Sequence, residues 1–300
     1  MLDFTDLEIS ERELLEPYLL ADGSIQSDRC FSSLYIWSEH YKLKKCIKDG
    51  FLFLRSEDEE SLLYYMPLGN GDMSKAVEYI KQDAEINEKE YRILLITESR
   101  KSDFENIGGF RIIEDPAEFD YIYDAEKMIN LSGKKLHGKR NFINRFLSEY
   151  QGRWVYESVS PVKHRDEILS FMREWCEHRE ENEDYKYEYS AIMLALDNWK
   201  TLQMKGGIIK VDEKVIAFTM ATKQREDVMD ILIEKADSKY VGAYQMINNA
   251  FASLHCRECK YINREEDLGI EGLRISKLSY QPVFLTKKYA AIPDGVSEDV

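Results

Sequence analysis

The sequence predicts an α+β fold of two successive units, each a mixed central sheet flanked by helices. Three observations lead there. The order hairpin, strand, helix, strand runs from Leu43 to Thr97 and again from Gly206 to Ile262. A basic amphipathic segment over 131–150 separates the two runs. The chain of 300 residues, 44% of them hydrophobic, has the length of two ordinary domains and enough apolar side chains for a sizeable core. The expected division is 1–130, a connecting helix over 131–150, and 151–300.

In the first half, residues 8–20 read as a helix. Ser27-Asp28 caps a second one, with Phe31, Leu34, Tyr35, Ser38 and Tyr41 on one side. Leu43 to Arg55 reads as a hairpin turning at Lys48-Asp49-Gly50, followed by a strand at 62–66. Asp72 or Ser74 caps a helix carrying Met73, Val77 and Ile80, and Tyr91–Thr97 is a short apolar strand. A short helix before Gly108-Gly109 then leads towards a strand at 119–123.

The second half opens with a strand from Trp154 to Val159 and a helix from Pro161 to about Glu180, with Ile168, Met172 and Trp175 inward. The run 180–184 reads as a polar connector. Tyr185, Tyr187 and Tyr189 stand beside it, placed either to line a channel or simply to pack. A helix over 189–203 follows, then the hairpin GGIIKVDEKVIAFTM (206–220) and a strand Val228–Glu234. Asp237-Ser238 supplies a cap for a helix with Tyr240, Tyr244, Ile247, Phe251 and Leu254 on one face and Gly242 in its first turn. Such a strand-loop-helix turns unpaired backbone N–H groups towards a phosphate or carbonyl.

This last arrangement resembles the GNAT fold, the Gcn5-related N-acyltransferases, in which the loop cradles the pyrophosphate of acyl-CoA. Lys239, Gly242 and Tyr244 fall where that family favours Gln or Arg, then Gly, then Gly or Ala. The segments LSGKKLHGKRNFINRF (131–146), GGIIKVDEKVIAFTM (206–220), IEKADSKYVGAYQMIN (233–248) and YINREEDLGIEGLRISKLSYQP (261–282), with Ser33–Trp37, carry a closer resemblance. It is to bacterial uncharacterised proteins related to the C-terminal domain of phosphatidylglycerol lysyltransferase. The resemblance implies two GNAT-like units in tandem, as in Fem-type transferases that take an amino acid from aminoacyl-tRNA. It also implies no metal. Transfer from an ester to an amine or hydroxyl needs positioning, a path for protons and stabilisation of an oxyanion.

Candidate site residues follow from both readings. Glu234 and Asp237 flank the end of the central strand, where a carboxylate can take a proton from an attacking amine. The plainer alternative is that Asp237 caps the helix while Glu234 pairs with Lys210 or Lys235. The run Asn263, Arg264, Glu265, Glu266 and Asp267 follows the next strand on the same rim; close carboxylates raise one another's pKa and attract a cationic amino acid, or else form a solvated loop. Gly269, Gly272 and Arg274 precede a short helix and offer N–H groups and a guanidinium to a phosphate or carboxylate, with Lys277 after them. Tyr280 is the position from which the resemblance implies protonation of a leaving group. In the connector, Lys134, Lys135, Lys139, Arg140 and Arg145 stand out against a net charge of −15 and read as a phosphate-binding cluster or as a solvated helix face.

That net charge argues against wholesale nucleic-acid or anionic-membrane binding, and no apolar run reaches the length of a membrane span. The expected location is the cytoplasm. Five cysteines are expected as thiols, and His255-Cys256-x-x-Cys259 is a metal or redox motif without an evident second ligand pair. Three functions compete: an aminoacyltransferase using aminoacyl-tRNA with a small-molecule or peptide acceptor, an N-acyltransferase using acyl-CoA, and a non-catalytic binding protein.

Overall fold

A computed structural model describes residues 1–58, 60–177 and 183–297. The chain forms two units, Met1–Asp120 joined by the segment from Thr286 onward, and Tyr121–Leu285.

The first unit contains β1 (Thr5–Asp6), α1 (Arg12–Leu19), α2 (Phe31–Trp37), β2 (Lys44–Lys48), β3 (Phe51–Glu57), β4 (Ser61–Tyr65), β5 (Leu68–Gly69), α3 (Met73–Asn87), β6 (Glu90–Thr97), α4 (Lys101–Ile107) and β7 (Phe110–Glu114). Its sheet runs β1-β2-β3-β4-β6, then the chain's final strand Lys288–Pro293, then β7, with β5 added to β3. Among the described residues of this sheet only β4 and β6 run parallel, which the α3 crossover between them permits. Asp72 caps α3 by accepting from the Ser74 N–H at 3.0 Å, and Met73, Ala76, Val77, Ile80 and Ala84 form its buried face. Ser27 does not cap α2. Its N–H (2.6 Å) and hydroxyl (3.1 Å) bond the Asp120 carboxylate instead, and α2 starts later, at Phe31.

Asp120, with no exposed surface, also receives the Lys288 ammonium at 2.8 Å, and Lys288 reaches Asp28 at 2.6 Å. One buried carboxylate therefore ties the start of the final strand to residues near the beginning of the chain. A buried charge survives only when paired and hydrogen-bonded.

The second unit begins in β8 (Asp120–Asp124) and continues through α5 (Ala125–Asn130), α6 (His137–Glu149), β9 (Trp154–Ser158), α7 (Pro161–Glu177), α8 (Glu183–Asp197), β10 (Met204–Val211), β11 (Lys214–Arg225), β12 (Val228–Ala236), α9 (Ala243–His255), β13 (Tyr261–Asn263), α10 (Glu271–Leu278) and β14 (Phe284–Thr286). The sheet order is β14-β8-β13-β12-β11-β10-β9. The β10–β11 turn is Asp212-Glu213, both at positive φ (49° and 65°), the backbone of a type I′ hairpin. Helices cover both faces: Ala217 belongs to the core under α5, α6 and α9, whereas its neighbour Phe218 meets Phe171 of α7 edge to face.

Several sequence expectations are corrected. The unit boundary falls at 120/121 rather than 130, because β8 pairs with β13, and the C-terminal strand returns to the first sheet. Strand partners this far apart leave no local signal. Helix α8 starts at Glu183 instead of near Tyr189, so Tyr185, Tyr187 and Tyr189 are helical, and the Tyr185 ring meets Trp175 edge-on at 5.5 Å. Of the acidic run 180–184, residues 180–182 lie outside the described residues. Helix α9 is capped by Gly242 and not by Asp237, whose side chain accepts from the Lys239 N–H at 2.9 Å within the preceding loop.

Asp120→Asn leaves the Lys288 ammonium buried beside a neutral amide. It is expected to destabilise the protein by about 3–5 kcal/mol, read as a lowered urea midpoint, while Asp28→Asn, partly exposed, costs less.

Candidate functional site

Strands β12 and β13 pair in parallel over three positions only: Val228 with Tyr261, Met229 with Ile262, and Asp230 with Asn263. Beyond them β12 continues to Ala236 while β13 stops, so the two chains part. Arg264, the first residue past β13, spans this gap to Glu234 on β12, with Nη2 to Oε1 at 2.8 Å and both side chains nearly buried. Glu234 also accepts from Asn248 Nδ2 of α9 at 3.2 Å. Burial makes this pair strong only because each partner is held, and it makes loss of either one costly.

Aromatic rings flank the guanidinium. Arg264 Cζ lies 5.0 Å from the Tyr280 centroid and 5.7 Å from that of Tyr123, and the two rings meet edge to face. Lys139 of α6 also reaches this ring, its ammonium 4.1 Å from the Tyr280 centroid. Burial, and then the Arg264 charge, lower the Lys139 pKa. Burial pushes the Tyr280 and Tyr123 phenols well above their ordinary value, so both stay protonated near neutrality. Six segments of the chain thus bring two cations, one carboxylate, an amide and two phenols to the place where the sheet opens.

The other sequence candidates fall in three groups. The loop after β13 is built by its own polar residues: Asn263 Oδ1 accepts from the Glu265 N–H at 2.7 Å, and Lys277 Nζ donates to the carbonyls of Arg264 (2.6 Å), Glu265 (3.0 Å) and Glu266. Glu265 takes φ 55°, and its carbonyl also accepts the Tyr121 N–H. Asp267 is fully buried and accepts Arg274 through Nε and Nη2 (2.9 and 3.0 Å), Tyr121 Oη (2.6 Å) and the Gly269 N–H (2.9 Å). Arg274 lies inside α10, not before it, and the partner of its guanidinium fork is this carboxylate. Arg274 foremost holds the Asp267 carboxyl below its usual range, and burial followed by Asp267 raises Tyr121 to about 12.

The basic segment divides. Lys134, Lys135 and Arg145 are exposed, Arg145 with only a 3.8 Å approach to Glu149. Lys139 turns inward as described. Arg140 donates to the carbonyls of Leu131 and Gly133, closing the chain after α5.

Gly242 has a packing role. It sits at φ 89°, and a Cβ there would come 2.4 Å from the Phe142 carbonyl oxygen of α6. Helix α6 therefore lies directly against the start of α9 and turns a carbonyl oxygen towards it. Lys210 and Lys235, the partners the plainer reading gave Glu234, pair with Glu167 (2.7 Å) and Glu188 (2.7 Å).

Tyr123 and Asn248 carry no local signal, and Arg264 stands in the sequence only as a member of the charged run 263–267, with no role of its own. The only available signal was the position of Arg264 at a strand end; in a run with Glu265, Glu266 and Asp267 it looked like one more solvated charge.

Two mixed sheets, each with flanking helices and a short parallel pair, define a tandem GNAT-type fold. A tandem GNAT protein from the clavulanic acid biosynthesis pathway has it (TM-score 0.55, 9% identity, 99% of this chain and 100% of that one), and so does L-PGS from Bacillus licheniformis (0.66, 17%, 95% and 93%). Residues 23–292 match the family described as phosphatidylglycerol lysyltransferase, C-terminal, and the chain belongs to that family. A conserved protein of unknown function from Bacteroides thetaiotaomicron is 35% identical, with a TM-score of 0.90 over 98% of this chain and 100% of its own. An uncharacterised protein of Mycoplasmoides gallisepticum is 25% identical over 170 residues, 57% of this chain; the match spans about half (54%) of that protein's length. Among the described residues no helix is long and apolar enough to cross a membrane, and no group of three metal-ligating side chains occurs.

Gly242→Ala is expected to cost at least about 2 kcal/mol through backbone strain and the clash with Phe142, seen in urea denaturation. For Asp267 the sign is set by its lowered pKa: the carboxylate stabilises the fold above the ordinary value of about 3.9, and that stability is lost as pH falls through the lower, folded value. Asp267→Asn should thus lower the urea midpoint at pH 7, with the gap to wild type closing below about pH 4.

Proposed function

We propose that the protein is an aminoacyltransferase that moves an amino acid from aminoacyl-tRNA to an amine or hydroxyl of an acceptor. The observation that carries this reading is the Glu234–Arg264–Lys139–Tyr280 cluster at the opening between β12 and β13. Family membership and the resemblance to Fem-type transferases support this donor class.

In this reading the ester carbonyl of the aminoacyl end lies against Arg264 and Lys139. The acceptor attacks the carbonyl carbon, and negative charge builds on its oxygen. Two cations already fixed in a largely water-excluded place stabilise that charge without reorganising. Glu234 and Asn248 hold the guanidinium in position, and Glu234 keeps the local charge balanced before substrate arrives. The tetrahedral intermediate collapses as the ribose oxygen leaves; the Tyr280 phenol gives that oxygen a proton, and the proton lost by the attacking amine or hydroxyl passes to the resulting phenolate and restores the phenol. Lys134, Lys135 and Arg145 are the exposed cations of the basic segment and take the tRNA backbone. Lys139 and Arg140, engaged elsewhere, do not have this task.

The acyl-CoA reading is favoured less by the same residues. The loop at Gly242, where acyl-CoA relatives place a pyrophosphate, faces the Phe142 carbonyl oxygen.

A combined Lys134→Ala, Lys135→Ala, Arg145→Ala variant should weaken tRNA binding in gel shifts and reduce the salt slope by about two. Tyr280→Phe should leave tRNA binding unchanged and slow transfer of a labelled amino acid by about 10²-fold or more. Unchanged tRNA affinity in the triple variant, or a thermal shift with millimolar CoA in place of tRNA binding, contradicts the reading.

A further inference from the structure

Helix α9 ends at His255, and Cys256 caps it, its N–H bonded to the Ala252 carbonyl. The next three residues form a turn closed by the Cys259 N–H on the Cys256 carbonyl at 3.0 Å. A turn of this kind holds its first and fourth Cα within 7 Å, inside the range a disulfide spans. The two thiols are also in contact, Cys256 donating to Cys259. Their exposures differ in a useful way: Cys256 is fully covered, whereas Cys259 keeps 9% of its surface beside the exposed Arg257 and Glu258. Lys223 lies near Cys259 and favours its thiolate, against Asp227 and Glu258. The hydrogen bond from Cys256, foremost, brings the Cys259 thiol down to about 7, and the same bond together with burial pushes Cys256 up.

We propose that Cys256 and Cys259 are a reversible thiol–disulfide exchange site, with Cys259 the attacking thiol and Cys256 the resolving one. The oxidant is a small disulfide of the glutathione type. The Cys259 thiolate attacks one sulfur, forming a mixed disulfide and expelling one thiolate. Cys256, giving up its proton to solvent or to that thiolate, attacks the Cys259 sulfur and expels the second. The protein loses two hydrogens and the small disulfide becomes two thiols.

The pair sits at a mechanical junction. Cys256 ends the helix that carries Asn248, and Cys259 precedes the strand that leads to Arg264, so the turn sets the spacing of both supports of Glu234. Lys260 and Tyr261 fasten its far side by donating to the Asp227 carbonyl at 2.8 and 3.0 Å. A covalent link across the turn fixes that spacing. The proposal is independent of which donor or acceptor the protein uses.

The test uses the full chain near neutral pH with oxidised glutathione, acid quenching and peptide mass spectrometry. The expected result is a peptide spanning 256–259 that is lighter by two hydrogens and regains them with dithiothreitol, formed at least about tenfold faster than any adduct on the buried Cys30 or Cys46. Cys256→Ser should accumulate glutathione on Cys259, and Cys259→Ser should leave Cys256 unmodified. The proposal is overturned if wild-type Cys256 and Cys259 both stay as thiols while the half-buried Cys176 is modified, or if the linked peptide appears only in urea. The wild-type arm decides the matter even where a serine variant folds poorly.

Discussion

The Arg264–Glu234 ion pair across the opening of β12 and β13 is the constraint on which the second unit's chemistry depends. A parallel pair that stops after three positions leaves polar backbone and a widening gap. Something must span it, and a nearly buried guanidinium held by a carboxylate does so while bringing positive charge into the sheet. The surrounding parts support that placement. Asn248 steadies the carboxylate, Tyr123 and Tyr280 enclose the guanidinium, and Lys277 gathers three consecutive carbonyls so that the loop carrying Arg264 keeps one path. Asp267 and Arg274 anchor the far end of that loop.

Charge in this protein is arranged by depth rather than by sequence. The basic stretch 134–145 contains side chains with three different tasks: exposed cations, one that enters the site and one that closes a turn. The acidic run after β13 divides in the same way. Its Asp267 is a buried anchor, and the backbones of Glu265 and Glu266 are ligands for Lys277. A like-charged string in a sequence is therefore compatible with several structural roles, because helix and loop geometry points successive residues in different directions.

This explains what was legible beforehand. Hairpins, α3 with its Asp72 cap, the β12–α9 sequence and the two-sheet plan carried strong local signals: turn residues, period-two strands and helical stripes. Glu234 stands out at a strand end, Tyr280 through the resemblance, and Lys139 only as one cation of a basic run read as a phosphate-binding cluster or a solvated helix face. The partner of Glu234 was not legible. Arg264 meets it only because β12 and β13 are parallel neighbours of unequal length, and neither fact is written locally. Likewise, the demand for glycine at 242 comes from a carbonyl a hundred residues earlier in the chain, where helix α6 approaches, and nothing local in the sequence announces it. The partners of the C-terminal strand, which joins the first sheet by pairing with β6 and β7, were not legible for the same reason.

The most direct measurement is a crystal structure of the protein with an adenosine carrying an amide-linked amino acid, a stable stand-in for the charged tRNA end. The account predicts the amide carbonyl within hydrogen-bond reach of Arg264 and Lys139, with the ribose oxygen beside Tyr280. Density for the analogue at a place that touches none of these residues, with the Arg264–Glu234 pair undisturbed, would contradict it.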